Sequence, residues 1–200
     1  MPLDGYINMR IFIVLTLLLT ACASNTKTFP DDKWDEWVSQ AEAGQAEAQY
    51  KLGKSYAANK DYANAVIWLQ KSANQNNPKA QNGLSMLYMQ GLGVPKDEHK
   101  ALEWLKKSAE GGYPTAQYNV AMLYKNGRLI AKDDVQAALW LHQAAQQGDD
   151  KAQTQLALCY EQGLGVPQDT RQALEWLEKA AGKNNAEARA HLQRIQKNLR

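Results

Sequence analysis

A repeat of 36 residues constrains this chain more than any other feature of its sequence. Four tryptophans recur at that interval, and alanine, leucine and aspartate keep the same period at fixed offsets from them. Self-similarity at a fixed period of a few tens of residues is typical of solenoids, in which each unit packs against the next. The repeated positions are Trp68, Trp104, Trp140 and Trp176; Leu69, Leu105, Leu141 and Leu177; Ala65, Ala101, Ala137 and Ala173; Ala73, Ala109, Ala145 and Ala181; Ala80, Ala116, Ala152 and Ala188; and Asp61, Asp97, Asp133 and Asp169.

Each unit is predicted to form two helices, A and B. In the second unit, apolar residues at helical spacing predict a helix A over about residues 79–90. Gly91 follows, and glycine adopts the left-handed conformation that commonly ends a helix. Asp97 then lies where its carboxylate can accept hydrogen bonds from the free amides at the start of helix B. Helix B carries the repeated tryptophan and is predicted to end at Gly111 and Gly112.

The units share the pattern Ala-Gln-x-x-Leu-x-x-x-Tyr, then Gly-x-Gly-Val-Pro-x-Asp, then Ala-Leu-Glu-Trp-Leu-x-Lys-Ala-Ala. This pattern resembles the Sel1-like repeat, a relative of the tetratricopeptide repeat, over about residues 44–200. Two units depart from it. The first has a loop at residues 57–60 that is four residues shorter, and the third has Leu129-Ile130-Ala131 in place of Gly-Val-Pro. Both departures are expected to change the loop shape and to leave the stacking residues in place.

The resemblance implies an all-α fold, a right-handed α-solenoid of about four helix-turn-helix repeats with half-repeat caps. The repeats are expected over residues 44–184. A lone helix B is expected over residues 33–43, because Trp37 and Ala41 align with Leu105 and Ala109. A lone helix A is expected over residues 185–200. Caps of this kind cover apolar faces that the end units would otherwise expose.

The first residues of the chain differ from everything that follows. Arg10 precedes a nearly unbroken apolar run over residues 11–19, and small residues then lead to Cys22. The run is shorter than the roughly 20 residues that a membrane-spanning helix needs. A charged start, a short apolar core and small residues before a cleavage site are typical of a secretory signal. Because Asp4 is unusual in such a segment, translation is expected to start at Met9.

The residues Leu-Thr-Ala-Cys that end at Cys22 resemble the lipobox of bacterial lipoproteins. The resemblance implies that residues 1–21 are a signal peptide, that Cys22 carries the lipid, and that residues 22–32 are a tether. Alanine and serine follow Cys22 instead of aspartate, which implies the outer membrane of a bacterial cell envelope, facing the periplasm. The alternative is an ordinary cleaved signal with an incidental cysteine.

Composition and residue spacing argue against several classes of function. The apolar fraction of 44% and charged fraction of 22% are those of a folded, soluble protein, and the formal net charge is only +2. No basic stripe predicts nucleic-acid binding. The histidines His99, His142 and His191 belong to different units and have no partner at metal-ligand spacing. We therefore expect no metal, no cofactor and no catalytic residues.

An enzymatic function is one alternative. Some cysteine-rich repeat proteins of the Sel1-like family bind penicillin and have weak β-lactamase activity, so a cell-wall or β-lactam-binding enzyme is the second hypothesis. Their repeats carry paired cysteines that join helix A to helix B, and this chain has no such pairs. Cys159 aligns instead with Leu87 and Leu123, and is predicted to be a buried thiol without a partner.

The positions that vary between units are the candidates for binding, because the constant ones are needed for packing. In solenoids of this kind, helix A lines the concave side. Counted from the repeated alanine, the third, seventh and tenth positions share one helix face. They hold Tyr50, Asn82, Tyr118 and Thr154; Lys54, Met86, Met122 and Leu158; and Ala57, Met89, Lys125 and Glu161. All but Ala57 and Thr154 are candidate partner-binding residues, and the alternative for the seventh position is a place in the core.

These observations favour a lipid-anchored adaptor or scaffold that binds a protein or peptide partner on its concave face. Similar Sel1-like lipoproteins act as immunity proteins that neutralise phospholipase effectors of type VI secretion, so a secreted effector is one expected partner. A purely structural envelope protein is a third hypothesis. The expected contacts are therefore a protein or peptide and, through the lipid, a membrane.

Overall fold

The computed structural model describes residues 33–198, and its regular structure is entirely helical within that range. The expected signal peptide at 1–21, the lipid site Cys22, the tether at 22–32 and residues 199–200 lie outside it. From Asp35 onward the described residues belong to one compact unit. The helices are α1 Trp34–Glu42, α2 Ala46–Ala58, α3 Tyr62–Asn74, α4 Pro78–Gln90, α5 Glu98–Glu110, α6 Pro114–Asn126, α7 Asp134–Gln146, α8 Asp150–Gln162, α9 Thr170–Ala181 and α10 Ala186–Asn198.

Four helical hairpins follow one another in the stack, each made of a helix A and a helix B. They are the pairs α2–α3, α4–α5, α6–α7 and α8–α9, and each helix B also packs against the helix A that follows it. Helix α10 packs on α9 as a lone helix A. This is the predicted α-solenoid.

The repeated aspartates start the B helices, as predicted. The side chain of Asp97 accepts a hydrogen bond from the backbone amide of Lys100 at 2.9 Å, and Asp133 accepts one from Gln136 at 3.0 Å. Such a bond satisfies one of the free amides at a helix start and contributes about 1 kcal/mol. The pKa of the Asp97 carboxyl is lowered, mainly because the Lys100 amide stabilises its charged form.

The repeated alanines explain how closely the helices approach one another. The alanines of the three series are almost completely buried, among them Ala65, Ala101 and Ala116, except for Ala181, which is partly buried. Leucines fill the remaining space, and Leu84 and Leu141 are fully buried. Small residues at the contacts bring helix axes close together, and the leucines then bury enough apolar area to stabilise the stack.

Three of the four repeated tryptophans pack against apolar clusters that join neighbouring hairpins, as the sequence predicts. Trp104 lies against the apolar cluster of the first two hairpins, and Trp140 contacts the clusters on both sides of it. Trp176 is buried, whereas the other three are half-buried. A lysine one turn later covers the free ring face in three of the units, with Lys107 Nζ 4.6 Å from the ring centre of Trp104.

A series of buried glutamines was missed by the sequence interpretation. In each unit the glutamine directly after the repeated alanine of helix A donates its side-chain amide to a carbonyl at the end of the preceding helix B. The carbonyl oxygens at a helix end lack partners within the helix, so these bonds tie successive hairpins together. The pairs are Gln49 with Ala41, Gln81 with Ala73, Gln117 with Ala109 and Gln153 with Ala145, at 3.0 to 3.3 Å.

The loop of the third hairpin corrects one expectation. It lacks the Gly-Val-Pro sequence and was expected to differ in shape, but its backbone matches the glycine loops. Leu129 has φ +65°, close to the +71° and +70° of the equivalent Gly93 and Gly165. The same backbone bonds hold each loop, since Asp133 N donates to Tyr124 O as Asp97 N donates to Tyr88 O. The closing bonds therefore impose a conformation that costs a leucine about 1–2 kcal/mol.

Cys159 is 3% exposed and belongs to the core of the last two hairpins, which confirms the prediction that it is buried. Burial also raises the pKa of its thiol, which keeps the unreactive neutral form dominant at neutral pH.

In a Cys22→Ser variant, we expect Cys159 to react with a thiol reagent at least about tenfold more slowly in the folded chain than in urea. A Gln162→Cys substitution in a Cys159→Ala background supplies an exposed thiol for comparison, because Gln162 lies on the surface of the same helix. Equal labelling rates at the two positions in the folded protein would contradict the burial of Cys159.

Among residues 33–198, no helix combines the length and the apolar character needed to cross a membrane.

Candidate partner-binding groove

The A helices line the inner side of the curved stack. Tyr50 in α2 lines one cavity with Tyr113, which precedes the helix A two hairpins further on. Neighbouring A helices also contact each other directly, since Lys125 of α6 bonds to Gln155 of α8 and Glu161 of α8 pairs with Arg194 of α10. Residues two hairpins apart can line one cavity only where the stack curves toward them, so the A helices lie on its inner side.

A cavity of about 360 Å³ opens on this side between α4 and α6. We call it the methionine subsite. Four of the predicted binding residues line it together: Asn82, Met86, Met89 and Met122. Its size is at the lower end of the range for ligand-binding clefts and suits one or two side chains. The other lining residues are Ser85, Gln90, Leu105, Asn119, Leu123, Asn126 and Arg128.

Met86 has the most exposed of the predicted apolar side chains, at 53%. Met89 and Met122 are half-buried. The alternative placement of the seventh position in the core therefore does not hold for Met86. Flexible thioether side chains adapt to irregular surfaces, and an exposed cluster of them is typical of partner-binding sites.

Asn82 lies at the base of the methionine subsite with 8% of its surface exposed. Its amide nitrogen is 3.9 Å from the sulfur of Met86, a weak contact. Its side-chain oxygen is buried and has no hydrogen-bond partner among the described residues. An unpaired buried acceptor costs about 1–3 kcal/mol, which a hydrogen-bond donor reaching the base of the subsite would offset.

A second cavity, of about 490 Å³, lies near the start of the stack. We call it the lysine subsite. The predicted residues Tyr50 and Lys54 line it, together with Lys51, Lys79 and Trp37. Burial raises the pKa of Tyr50, so its hydroxyl stays neutral and can donate a hydrogen bond at any physiological pH. Its other lining residues are Glu47, Ser55, Ala58 and Tyr113.

The four remaining predicted residues, Tyr118, Lys125, Leu158 and Glu161, line neither subsite. Lys125 donates to the side chain of Gln155 at 2.6 Å in the next helix A. Glu161 forms an ion pair with Arg194 of α10 at 2.6 Å.

Tyr118 and Leu158 are half-buried. Thr154, which shares their helix face, is fully buried and bonds to the carbonyl of Asp150. At this end of the stack, the face is therefore largely occupied by contacts between neighbouring A helices.

Sequence reasoning missed Arg128, Asn119, Lys51 and Lys79 as lining residues. Lys51 and Asn119 occupy the fourth position from the repeated alanine, one residue beyond a position that was selected. Arg128 lies in the loop after α6, outside the helix face that was considered. The helix period alone gives the direction of a face, whereas the rims of a cavity also come from loops and neighbouring turns.

The outer surface carries an apolar patch around Val135 and Leu139 of α7, which are 54% and 53% exposed. They line a smaller cavity of about 250 Å³ together with His142 and Tyr160. This patch is on helix B and does not share residues with either subsite. Leu139 is therefore a suitable match for Met86 in experiments, because the two side chains are equally exposed on different surfaces.

A comparison with protein-family models defines the residue range of each repeat. The Sel1 repeat model matches residues 46–77, 78–113, 114–149 and 150–185, which together make up most of the chain. The chain belongs to the Sel1 repeat family. The four matched units begin with helix A and end just before the next one, in agreement with the hairpins described above.

Solved structures of other Sel1 repeat proteins have the same fold. The chain is similar to a Sel1 repeat protein from Oxalobacter formigenes, with a TM-score of 0.79 and 33% identity over 82% of this chain and 49% of that one. It is also similar to c5321, a protective antigen of uropathogenic Escherichia coli with an SLR fold, with a TM-score of 0.72 and 34% identity over 79% of this chain and 35% of that one. The chain thus spans about half and about a third of these relatives. No match was found among curated proteins.

The cysteine-rich protein B of Helicobacter pylori has the same fold, with a TM-score of 0.50 and 23% identity over 62% of this chain and 94% of that one. This likeness concerns the fold alone. Within residues 33–198, no group of three or more His, Cys, Asp and Glu side chains is placed to hold a metal ion. That this Sel1 repeat chain is not an enzyme stays a prediction, as does the absence of a cofactor.

Proposed function

We propose that this Sel1 repeat chain is an envelope lipoprotein that holds a protein or peptide partner on its concave face. The observation that carries the proposal is the methionine subsite, where residues that differ between repeats meet in one open cavity. Sel1 repeat solenoids typically act as scaffolds for protein interaction. The packing residues are constant from unit to unit, whereas most residues that line this cavity are not, so they are free to specify a partner.

The chemistry of the methionine subsite suits a protein ligand. Exposed thioethers offer apolar contact to a partner side chain, and the amides of Asn119 and Asn126 can pair with a peptide backbone. An apolar centre with polar groups at its rim is the usual composition of a protein-binding surface.

Attachment to the outer membrane through a lipid is part of the same proposal. The lipobox-like residues before Cys22 support attachment through a lipid, and the residues after it support the outer membrane and the periplasm. A short tether would then keep the concave face close to the membrane, where envelope proteins and incoming effectors are found.

A pair of matched substitutions tests the binding face. We expect Met86→Asp to weaken partner binding about tenfold or more, because it places a charge in the apolar centre of the groove. Leu139→Asp should leave binding unchanged, and both variants should fold, since each original side chain is 53% exposed. A photo-crosslinking residue at position 86 in living cells would first trap the partner, and the purified pair would then be titrated.

The same photo-crosslinking residue placed at position 139 is the control for the trapping experiment. A discrete adduct at position 86 that is missing at position 139 supports the concave face. If the trapped protein instead binds Met86→Asp as tightly as the original chain, the methionine subsite is not its site.

A narrower proposal is that the partner is a phospholipase effector of type VI secretion, which the chain would neutralise. It is supported by the resemblance to Sel1-like immunity lipoproteins and by the proposed periplasmic address. Cells that produce the effector in the periplasm should then survive with the original chain or Leu139→Asp and lyse with Met86→Asp. Lysis with all three chains would remove this form of the proposal.

A further inference from the structure

The two subsites carry more positive charge than the chain as a whole. The lysine subsite contains Lys51, Lys54 and Lys79 against Glu47, and Arg128 is the charged residue of the methionine subsite. The whole sequence has 23 basic and 21 acidic residues and is close to neutral. The excess of cations is therefore local to the two cavities.

Most of these cations are available to a ligand. Lys51 and Lys54 form no ion pair with any residue in the described part of the chain, although Lys51 lies 5.4 Å from the ring centre of Trp37. Lys79 contacts Glu47 at 3.5 Å, a long and exposed pair that contributes little. The acidic residue near Arg128 is Glu98, which is already paired with Lys96 at 2.8 Å.

From this arrangement we infer that the partner presents an acidic segment with one large apolar side chain. This inference rests on the proposed function and deepens it. The apolar side chain fills the methionine subsite between Met86 and Met122, while carboxylates near it meet Arg128 and the cations of the lysine subsite. Charges of opposite sign across an interface steer association and select the partner.

Asn82 supports a peptide as the occupant. Its buried oxygen lacks a donor at the base of the methionine subsite, and a peptide backbone supplies N–H groups at regular intervals along an extended segment. A hydrocarbon lipid chain would fill the same apolar space but would leave this oxygen unpaired.

A displayed library of random dodecapeptides tests the inference with the purified full-length chain. We expect the selected peptides to be enriched in Asp and Glu over Lys and Arg and to contain a large apolar residue. For a synthetic peptide with the enriched sequence, Met86→Asp and Arg128→Glu should each weaken binding about tenfold or more, and added salt should weaken it further.

Two substitutions on other surfaces serve as controls. Leu139→Asp matches Met86→Asp in exposure, and Arg171→Glu reverses an exposed charge at the start of α9. Neither should change peptide affinity. Circular dichroism of all four variants would verify that the helices are retained.

The outcomes separate this inference from the proposed function. Basic or uncharged peptides that still need Met86 would overturn the acidic segment and leave the concave binding face in place. Selection of no peptide that depends on Met86 would count against both. Binding of phosphatidylglycerol vesicles that is lost in Arg128→Glu and Lys54→Glu, without peptide selection, would assign the cations to a membrane surface and overturn the inference.

Discussion

Replacing Gly165 with alanine should lower the free energy of unfolding by about 2–5 kcal/mol. Gly165 has φ +70°, a conformation that costs other residues about 1–2 kcal/mol. An added Cβ would also clash with the backbone oxygen of Asp134, the first residue of α7 in the preceding hairpin. Forcing a methyl group into filled space typically costs a further 1–3 kcal/mol or so. Urea unfolding followed by circular dichroism measures the loss.

Gly112 supplies the control for this prediction. It has φ +85°, but an added Cβ would meet nothing within 4 Å. Gly112→Ala should therefore cost about 1–2 kcal/mol, from the backbone conformation alone. Equal losses for the two substitutions would mean that the close approach of the glycine loop to the neighbouring hairpin does not contribute to stability.

The substitution Leu141→Ala should destabilise the chain by about 2–5 kcal/mol, because it removes a fully buried side chain and leaves a cavity. Leu141 belongs to the apolar cluster that joins α7 to the last hairpin and also contains Leu156 and Leu177. Removal of the Leu141 side chain therefore weakens the interface between two repeats as well as the packing within one hairpin. The urea midpoint and the steepness of the transition measure both effects.

Leu139 lies two residues away on the same helix and is 53% exposed. Leu139→Ala should change stability by less than about 0.5 kcal/mol. Leu141→Ala and Leu139→Ala change the same residue type in the same helix, and they differ only in how deeply the original side chain is buried. If the two substitutions have similar effects, the stack does not depend on the cluster around Leu141.

The repeat made much of the fold predictable. A residue that recurs at one position has the same structural role in each unit. The aspartate before helix B in all four units and the glycine after helix A in three of them therefore indicated the helix boundaries correctly. Cys159 was placed in the core by the same reasoning, because its equivalents are leucines. The Sel1 pattern is local in sequence, and local capping and spacing set secondary structure in a helical repeat.

The candidate site was predictable only in part. The period of helix A correctly grouped Asn82, Met86 and Met89 on one face, and these residues line one cavity with Met122. The same period could not foresee that Lys125 and Glu161 would be engaged by neighbouring A helices. Those contacts join residues about 30 positions apart, and they depend on the curvature of the stack.

The sequence by itself determined the units of this protein: where each helix begins and ends, which residues repeat in the core, and that the hairpins stack. Only the tertiary structure decided which variable residues share a cavity, how deeply Asn82 is buried, and that Leu129 adopts a glycine-like conformation. The physical reason is the range of the interactions. Capping and helical periodicity act within a few residues, whereas cavities, charge clusters and loop strain arise between hairpins that the curved stack brings together.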